Sequence, residues 1–251
     1  AHQKDLSFLK LRSSENEKTL ESDALFPDHL SWNTLIIAYA KQGKVQQAFS
    51  MYDDRHKDFP IEIGCYTFLV LLKACSVLQD VRRGDEMHVE IARRGLLGLD
   101  TYLDAALIDL YVKCGSFTKA RETFDQLSAK GVLTWNALIL GYIENREYKK
   151  VFELFDQMNL ESICPDSVTF VCTMKACGQI RDIKKGKEMH VRIAAHEGFW
   201  RNVSVGGALV DMHVKLGLLI EAQTIFDLLP VRDVMMWTSL IGGYADHGYC
   251  T

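Results

Sequence analysis

The chain of 251 residues is poor in turn formers, with only 4 prolines and 17 glycines. That is too few for a sandwich of many short strands. No run of 18 apolar residues occurs, so no membrane-spanning helix is expected. Neither charge sign dominates: 29 Lys and Arg against 33 Asp and Glu leave a net charge of −4. That balance argues against strong sequence-independent attraction to polyanions. Seven cysteines are present (Cys65, Cys75, Cys114, Cys164, Cys172, Cys177, Cys250), and none forms a C-x-x-C pair. An odd count without paired spacing points away from a zinc site or disulfide framework and towards reduced, mostly buried thiols. Glycine-rich phosphate loops and the G-x-S-x-G elbow are also missing. Residues 1–28 carry many acidic residues and no apolar stretch, unlike a signal peptide or an Arg-rich transit peptide. An apolar fraction of 48% with 25% charged residues is nevertheless that of an ordinary folded protein, which excludes disorder over the whole length.

What the chain does have is repetition. Trp32, Trp135 and Trp237 head the related stretches WNTLIIAY, WNALILGY and WTSLIGGY. TFLVLLKAC (67–75) returns as TFVCTMKAC (169–177), GDEMHVEIA (84–92) as GKEMHVRIA (186–194), and ALIDLYVKCG (106–115) as ALVDMHVKLG (208–217). Each block of about 102 residues divides into three units. Starts at His29, Cys65, Thr101, Val132, Ser167, Val203 and Val234 give unit lengths of 36, 36, 31, 35, 36 and 31, with a seventh cut short. Numbering residues from each start aligns them in columns.

The columns have physical meanings. Columns 4, 7, 8 and 11 are mostly apolar at helical spacing, so each unit opens with an amphipathic helix. Glycine recurs at column 15 (Gly43, Gly115, Gly217, Gly248), where a left-handed residue ends a helix most cheaply. Column 20 is small and column 24 aromatic, one turn apart on a second helix: the first allows close approach and the second fills the space beside it. The four prolines (Pro27, Pro60, Pro165, Pro230) fall in the last five residues of a unit, where that helix should stop. A hairpin of this size cannot bury its apolar face alone. The expectation is an all-α, right-handed α-solenoid of stacked helix-turn-helix hairpins. Its units are 29–64, 65–100, 101–131, 132–166, 167–202 and 203–233. Residues 1–28 read as a degenerate preceding unit with a last helix near 15–26, and 234–251 as the first helix of a truncated seventh. Gly248 to Thr251 makes no polar cap, so the chain reads as a piece of a longer protein.

These columns resemble the pentatricopeptide repeat family. The Trp-Asn at columns 4–5, the Ala at column 20, the Phe at column 24 and Pro165-Asp166 are similar to its consensus. The alternation of unit lengths resembles its P-L-S subclass of plant organelles, with 29–64 and 132–166 as P units, 65–100 and 167–202 as L units, and 101–131 and 203–233 as S units. LKAC (72–75) and MKAC (174–177) look like L-type motifs and YVKCGSFTKARETFDQL (111–127) like an S-type motif. The 31-residue units argue against tetratricopeptide repeats of constant length.

The resemblance implies binding of single-stranded RNA, about one base per repeat. In the family the fifth and last residues of a unit contact the base edge, and the second packs against base faces. Asn at the fifth position goes with pyrimidines and Ser or Thr with purines; Asp at the last goes with U or G and Asn with C or A. The pairs here are Asn33 with Gly64, Leu69 with Asp100, Ala105 with Gly131, Asn136 with Asp166, Val171 with Asn202, and Gly207 with Asp233; Thr238 stands alone. Only Asn136/Asp166 is a full match, and it implies uridine. Asn33 implies a pyrimidine and Thr238 a purine. Leu69 and Val171 cannot hydrogen-bond a base edge, as is usual for L units, while Ala105 and Gly207 depart from the polar residue expected in S units. The second residues are Leu30, Tyr66, Tyr102, Leu133, Val168, Ser204 and Met235, six of them apolar or aromatic. They could wedge between bases or pack between neighbouring repeats. Lys41, Lys113 and Lys215 share column 13 and could meet phosphates, or simply face solvent.

No catalytic constellation emerges. His88 and His190 stand in the column-24 aromatic slot and His213 in the column-11 tyrosine position, where packing explains them. Cys75 and Cys177 share column 11 and read as buried small residues. His190 and His196 are wrongly spaced to share a metal from one helix face. The H-x-E and C-x-x-C signature of the zinc deaminases attached to some relatives is missing. Carboxylate runs such as Asp53-Asp54 read as solvated faces. The resemblance therefore implies a non-catalytic RNA-recognition module of an organellar RNA-maturation factor in chloroplast or mitochondrion. Its expected task is site recognition for C-to-U editing, with editing-complex proteins as partners and no cofactor, membrane or small-molecule substrate. The other reading is a protein-interaction scaffold whose RNA readout has decayed.

Overall fold

A computed structural model of the chain describes residues 29–58, 63–195, 198 and 202–248, with the side chains of 29–31 and 55–58 excepted. The expected degenerate unit 1–28, Pro27, Pro60, His196, Cys250 and the last three residues lie outside the described residues. Among the described residues there are thirteen helices and no strand. They are α1 (His29–Lys41), α2 (Val45–Asp58), α3 (Cys65–Leu78), α4 (Val81–Arg93), α5 (Thr101–Lys113), α6 (Phe117–Gln126) and α7 (Val132–Glu144). After these come α8 (Tyr148–Leu160), α9 (Ser167–Ile180), α10 (Ile183–Ala194), α11 (Val203–Lys215), α12 (Leu219–Leu228) and α13 (Val234–Asp246). The odd-numbered helices begin at the seven unit starts. The second helices of the two 31-residue units, α6 and α12, have 10 residues against 12 to 14 in the others, and a shorter connection accounts for the rest of the difference.

Column 15 turns every first helix. Gly43, Gly115, Gly217 and Gly248 are left-handed, and so are the non-glycine residues of that column, Gln79, Arg146 and Arg181. A left-handed L-residue costs of order 1 kcal/mol, which the turn recovers through carbonyls it satisfies. In the first six units the N–H of column 16 donates to the column-11 carbonyl, as in Ser116 to Tyr111 at 2.8 Å, Glu147 to Tyr142 at 2.8 Å and Leu218 to His213 at 2.9 Å. That is the six-to-one bond of a Schellman ending. The chain then re-enters helix almost at once.

The chain forms two compact units, divided between Leu71 and Leu72 inside α3. In the first, α1 and α2 pair as a hairpin, and Tyr52 of α2 meets Phe68 of α3 edge-on at 6.4 Å. In the second, the first helices pack in series, α5 on α7, α7 on α9, α9 on α11 and α11 on α13, while α6, α8, α10 and α12 each pack on their own first helix. One continuous apolar seam runs from Ile108 to Leu240. Burial is thus shared among neighbours, as repeat architectures require.

The column-24 side chain bridges units. Phe124 meets Trp135 at 4.7 Å, Phe155 meets Phe170 at 5.8 Å and Phe226 meets Trp237 at 4.6 Å, all edge-on. Each partner occupies column 4 of the next unit. Edge-to-face rings at such distances add about 0.5–1.5 kcal/mol beyond area burial. Units three and six have Asp104 and Gly206 at column 4, so no ring awaits there. The preceding histidines turn to column 11 instead: His88 lies 5.7 Å from Tyr111 and His190 5.0 Å from His213. Burial lowers the pKa of all three histidines, and the neutral His213 ring is hydrogen-bonded to the Leu209 carbonyl at 2.9 Å.

Candidate nucleic-acid interface

The fifth residue of a unit lies one helical turn and more inside the first helix; the last residue immediately precedes the next first helix. Local chemistry fixes the second of these. Asp100, Asp166, Asn202 and Asp233 are the N-caps of α5, α9, α11 and α13. Asp100 accepts from the Tyr102 and Leu103 N–H groups, Asn202 from Ser204 and Val205, and Asp233 from Met236 at 2.9 Å. Gly131 caps α7 with backbone alone, and the Gly64 carbonyl accepts from Thr67 and Phe68. A short acceptor before a helix is the usual cap, a role carried by the last-residue column that was legible in the sequence and overlooked.

In unit four the two positions meet. The Asn136 amide donates to Asp166 Oδ1 at 2.9 Å. Thr169, column 3 of unit five, donates its hydroxyl to Asn136 Oδ1 at 2.7 Å. Asp166 Oδ1 also accepts from the Thr169 N–H at 3.0 Å, while the Asp166 N–H donates to Thr169 Oγ1 at 3.2 Å, closing a capping box. Asn136 is 5% exposed and Thr169 fully buried. Burial works against the Asp166 carboxylate, but the Thr169, Asn136 and Val168 groups around it outweigh that and hold its pKa below the usual range. One N–H of the Asn136 amide stays outside this network.

Unit one repeats part of the arrangement. Thr67, column 3 of unit two, donates to Asn33 Oδ1 at 2.8 Å. Gly64 offers no carboxylate. Leu69, Ala105, Val171 and Gly207 are half-buried and present no hydrogen-bonding side chain. Thr238 is exposed, and its hydroxyl donates to its own helix at Val234.

The second residues separate from the core. Tyr66, Tyr102, Leu133, Val168 and Met235 are all among the exposed large hydrophobics, Tyr102 at 67% and Met235 at 70%. Ser204 is exposed too, and the Leu30 side chain lies outside the described residues. A role confined to packing between repeats would have buried them. Lys41, Lys113 and Lys215 are exposed on first helices, but none is a bare charge. Lys113 pairs with Asp109 at 2.7 Å and Lys215 with Asp211 at 2.6 Å; Lys41 sits 5.4 Å over the Tyr66 ring. Lys73 and Lys175, at column 9 of units two and five, are exposed and enter no ion pair among the described residues. Column 9 lies one turn before column 13 on the same helix face; unit four has Leu140 and Glu144 at these columns and carries no cation there.

No group of His, Cys, Asp and Glu that could hold a metal occurs among the described residues, and no described helix is long and apolar enough to cross a membrane. Cys75, Cys172 and Cys177 are buried, their thiols pushed up to about 12, 11 and 12 chiefly by burial.

The model of the PPR repeat family matches residues 27–77 and 130–179, and the PPR repeat model matches 106–132. The chain belongs to the pentatricopeptide repeat family. It is 34% identical over 218 residues, 87% of its length, to a pentatricopeptide repeat-containing protein of Arabidopsis thaliana. It is 35% identical over 85% of its length to another from that plant, named chloroplastic, and 31% identical over 86% to one named mitochondrial. The chain spans 36%, 24% and 21% of these three relatives. Among solved structures it resembles the maize pentatricopeptide repeat protein PPR10, with a TM-score of 0.58 over 98% of this chain and 39% of that one at 17% identity. PPR10 in complex with an 18-nt psaJ RNA element gives a TM-score of 0.54 over 90% of this chain. The likeness shows the fold: an α-solenoid of stacked helical hairpins.

Proposed function

We propose that this chain is a single-stranded RNA-recognition module of an organellar RNA-maturation factor, non-catalytic in itself, with unit four reading uridine. The observation that carries the reading is the Asn136–Asp166 pair flanked by the exposed side chains of Leu133 and Val168. An amide N–H suits a uracil carbonyl oxygen, and the carboxylate suits the uracil N3–H; cytosine has a bare acceptor at N3 and meets the carboxylate badly. Exposed apolar side chains at the second position of successive units supply faces for base stacking, worth about 1–3 kcal/mol per base where the side chain is aromatic. Lys41, Lys113 and Lys215, with Lys73 and Lys175, supply phosphate contacts. The complex of PPR10 with RNA and the organellar names of the relatives favour the same reading.

The finer assignments follow the pattern of the units. Units 29–64 and 132–166 are of P type, 65–100 and 167–202 of L type, and 101–131 and 203–233 of S type, so the module delivers C-to-U editing to a transcript in chloroplast or mitochondrion together with editing-complex proteins. With one full reader in six units, affinity rests on stacking and phosphate contacts. Titration of a labelled U-containing single-stranded RNA at about 50 and about 200 mM salt tests this. Binding that weakens with salt by a slope of about 0.7 per phosphate contact is expected. Lack of binding at the lower salt, by protein with native helical circular dichroism, refutes the RNA reading and leaves the protein scaffold.

A further inference from the structure

We propose that the column-3 threonine of each L unit, Thr169 and Thr67, is a positioning residue for the base reader of the unit before it. The inference rests on the RNA reading above. The two L units have Leu69 and Val171 at their own fifth position and read no base edge by hydrogen bonds. Each instead sends a buried hydroxyl back to the asparagine of the preceding P unit, at 2.7 Å for Thr169 and 2.8 Å for Thr67. The two residues are 1% exposed or less. The spacings are 33 and 34 residues, one repeat less a turn fragment, so the pairing recurs with the architecture.

The hydroxyl decides which end of the amide faces outward. The Asp166 N–H donates to Thr169 Oγ1, so the Thr169 proton is directed to an acceptor; Asn136 Oδ1 at 2.7 Å is nearer than Asp166 Oδ1 at 3.0 Å, which already takes the Thr169 N–H and the Asn136 amide. The carbonyl end of Asn136 is thereby turned into the protein and the NH2 end is left to serve both Asp166 and a base. A reversed amide would place its oxygen against the Asp166 carboxylate and expose an acceptor, which suits the cytosine amino group rather than a uracil carbonyl. In unit one Gly64 offers no carboxylate, and Thr67 supplies the corresponding hydroxyl to Asn33. A P unit with its following L unit is therefore one reading device built across the repeat boundary. The valine at the same column of unit six, Val205, follows an L unit whose fifth residue, Val171, needs no such partner.

Thr169→Val keeps the shape and removes the hydroxyl; Thr169→Ser keeps the hydroxyl. Each is made in the 251-residue chain and titrated with two single-stranded RNAs that differ by U or C at the base facing unit four. Unaltered protein is expected to prefer U about tenfold, as one well-oriented edge contact gives. Thr169→Val should reduce that preference below about threefold while overall affinity for the U strand falls less, and Thr169→Ser should restore it. Thr67→Val, read at the base facing unit one, should flatten whatever pyrimidine preference Asn33 has over purine, and it gives an independent answer if Thr169→Val fails to fold. Retention of the full U over C ratio in folded Thr169→Val overturns the proposal while leaving RNA recognition standing. Failure of unaltered protein to bind either RNA overturns the RNA reading itself.

Discussion

Asp166 and Asp233 are matched caps with unmatched surroundings, and alanine at each separates the reader network from ordinary capping. Asp233 accepts the Met236 N–H at 2.9 Å, and Gly207, the fifth residue of its unit, has no side chain to share it. Its removal should cost what an N-cap costs, about 1 kcal/mol. Asp166 makes the same cap to Thr169 at 3.0 Å. It also receives the Asn136 amide, which is 5% exposed and without another acceptor in the network. Stranding a buried donor adds about 1–3 kcal/mol. Asp166→Ala should therefore lose about 2–4 kcal/mol, and the excess over Asp233→Ala should be at least about 1 kcal/mol. Urea unfolding followed by circular dichroism at the helical band measures both. If the two variants lose the same stability, the Asn136–Asp166–Thr169 network contributes nothing and the local account is wrong.

Asp104 gives a pH-dependent prediction. It is fully buried, Oδ1 accepts the Gly98 N–H at 3.0 Å, and Oδ2 has no partner. Burial foremost, with the Asp100 carboxylate, raises its pKa against the opposing Gly98 N–H. A carboxyl that holds its proton more tightly folded than unfolded loses its stabilising contribution as pH rises from the ordinary aspartate range through the folded value. Asp104→Asn should match the unaltered chain at about pH 3 and exceed it by about 1 kcal/mol at about pH 7; urea midpoints at the two pH values decide, and equal midpoints at neutral pH contradict it. Lys73→Ala with Lys175→Ala should lower the salt slope of RNA binding by about 0.7 per lysine, alike for every RNA sequence; an unchanged slope removes both from the interface.

Much of the fold was legible because the repeat imposes it. Column 15 is the clearest case. Glycine at Gly43, Gly115, Gly217 and Gly248 marked the left-handed turn, and the same geometry is imposed on Gln79, Arg146 and Arg181, whose side chains gave no sign of it. Column 24 was legible as aromatic, but its partner was not. Only the stacking of units reveals that Phe124 seeks Trp135 of the next hairpin, and that His88 turns to Tyr111 because Asp104 fills the usual place. The reader network was hidden for a related reason. Thr169 and Asn136 are 33 residues apart on different hairpins, and threonine at column 3 looks like one more buried polar residue until the neighbouring helix is in place. The cap at Asp166 needed no neighbour: an aspartate before an apolar helix is a local signal.

The measurement that most directly tests the central claim is the base preference of Asn136→Thr at the single RNA position facing unit four. The proposed Asn-Asp reader should give U in the unaltered chain, and the threonine should move the preference towards G, with preferences at the other positions unchanged. Persistence of U at that position, with binding and helical content retained, would show that Asn136 and Asp166 do not read the base.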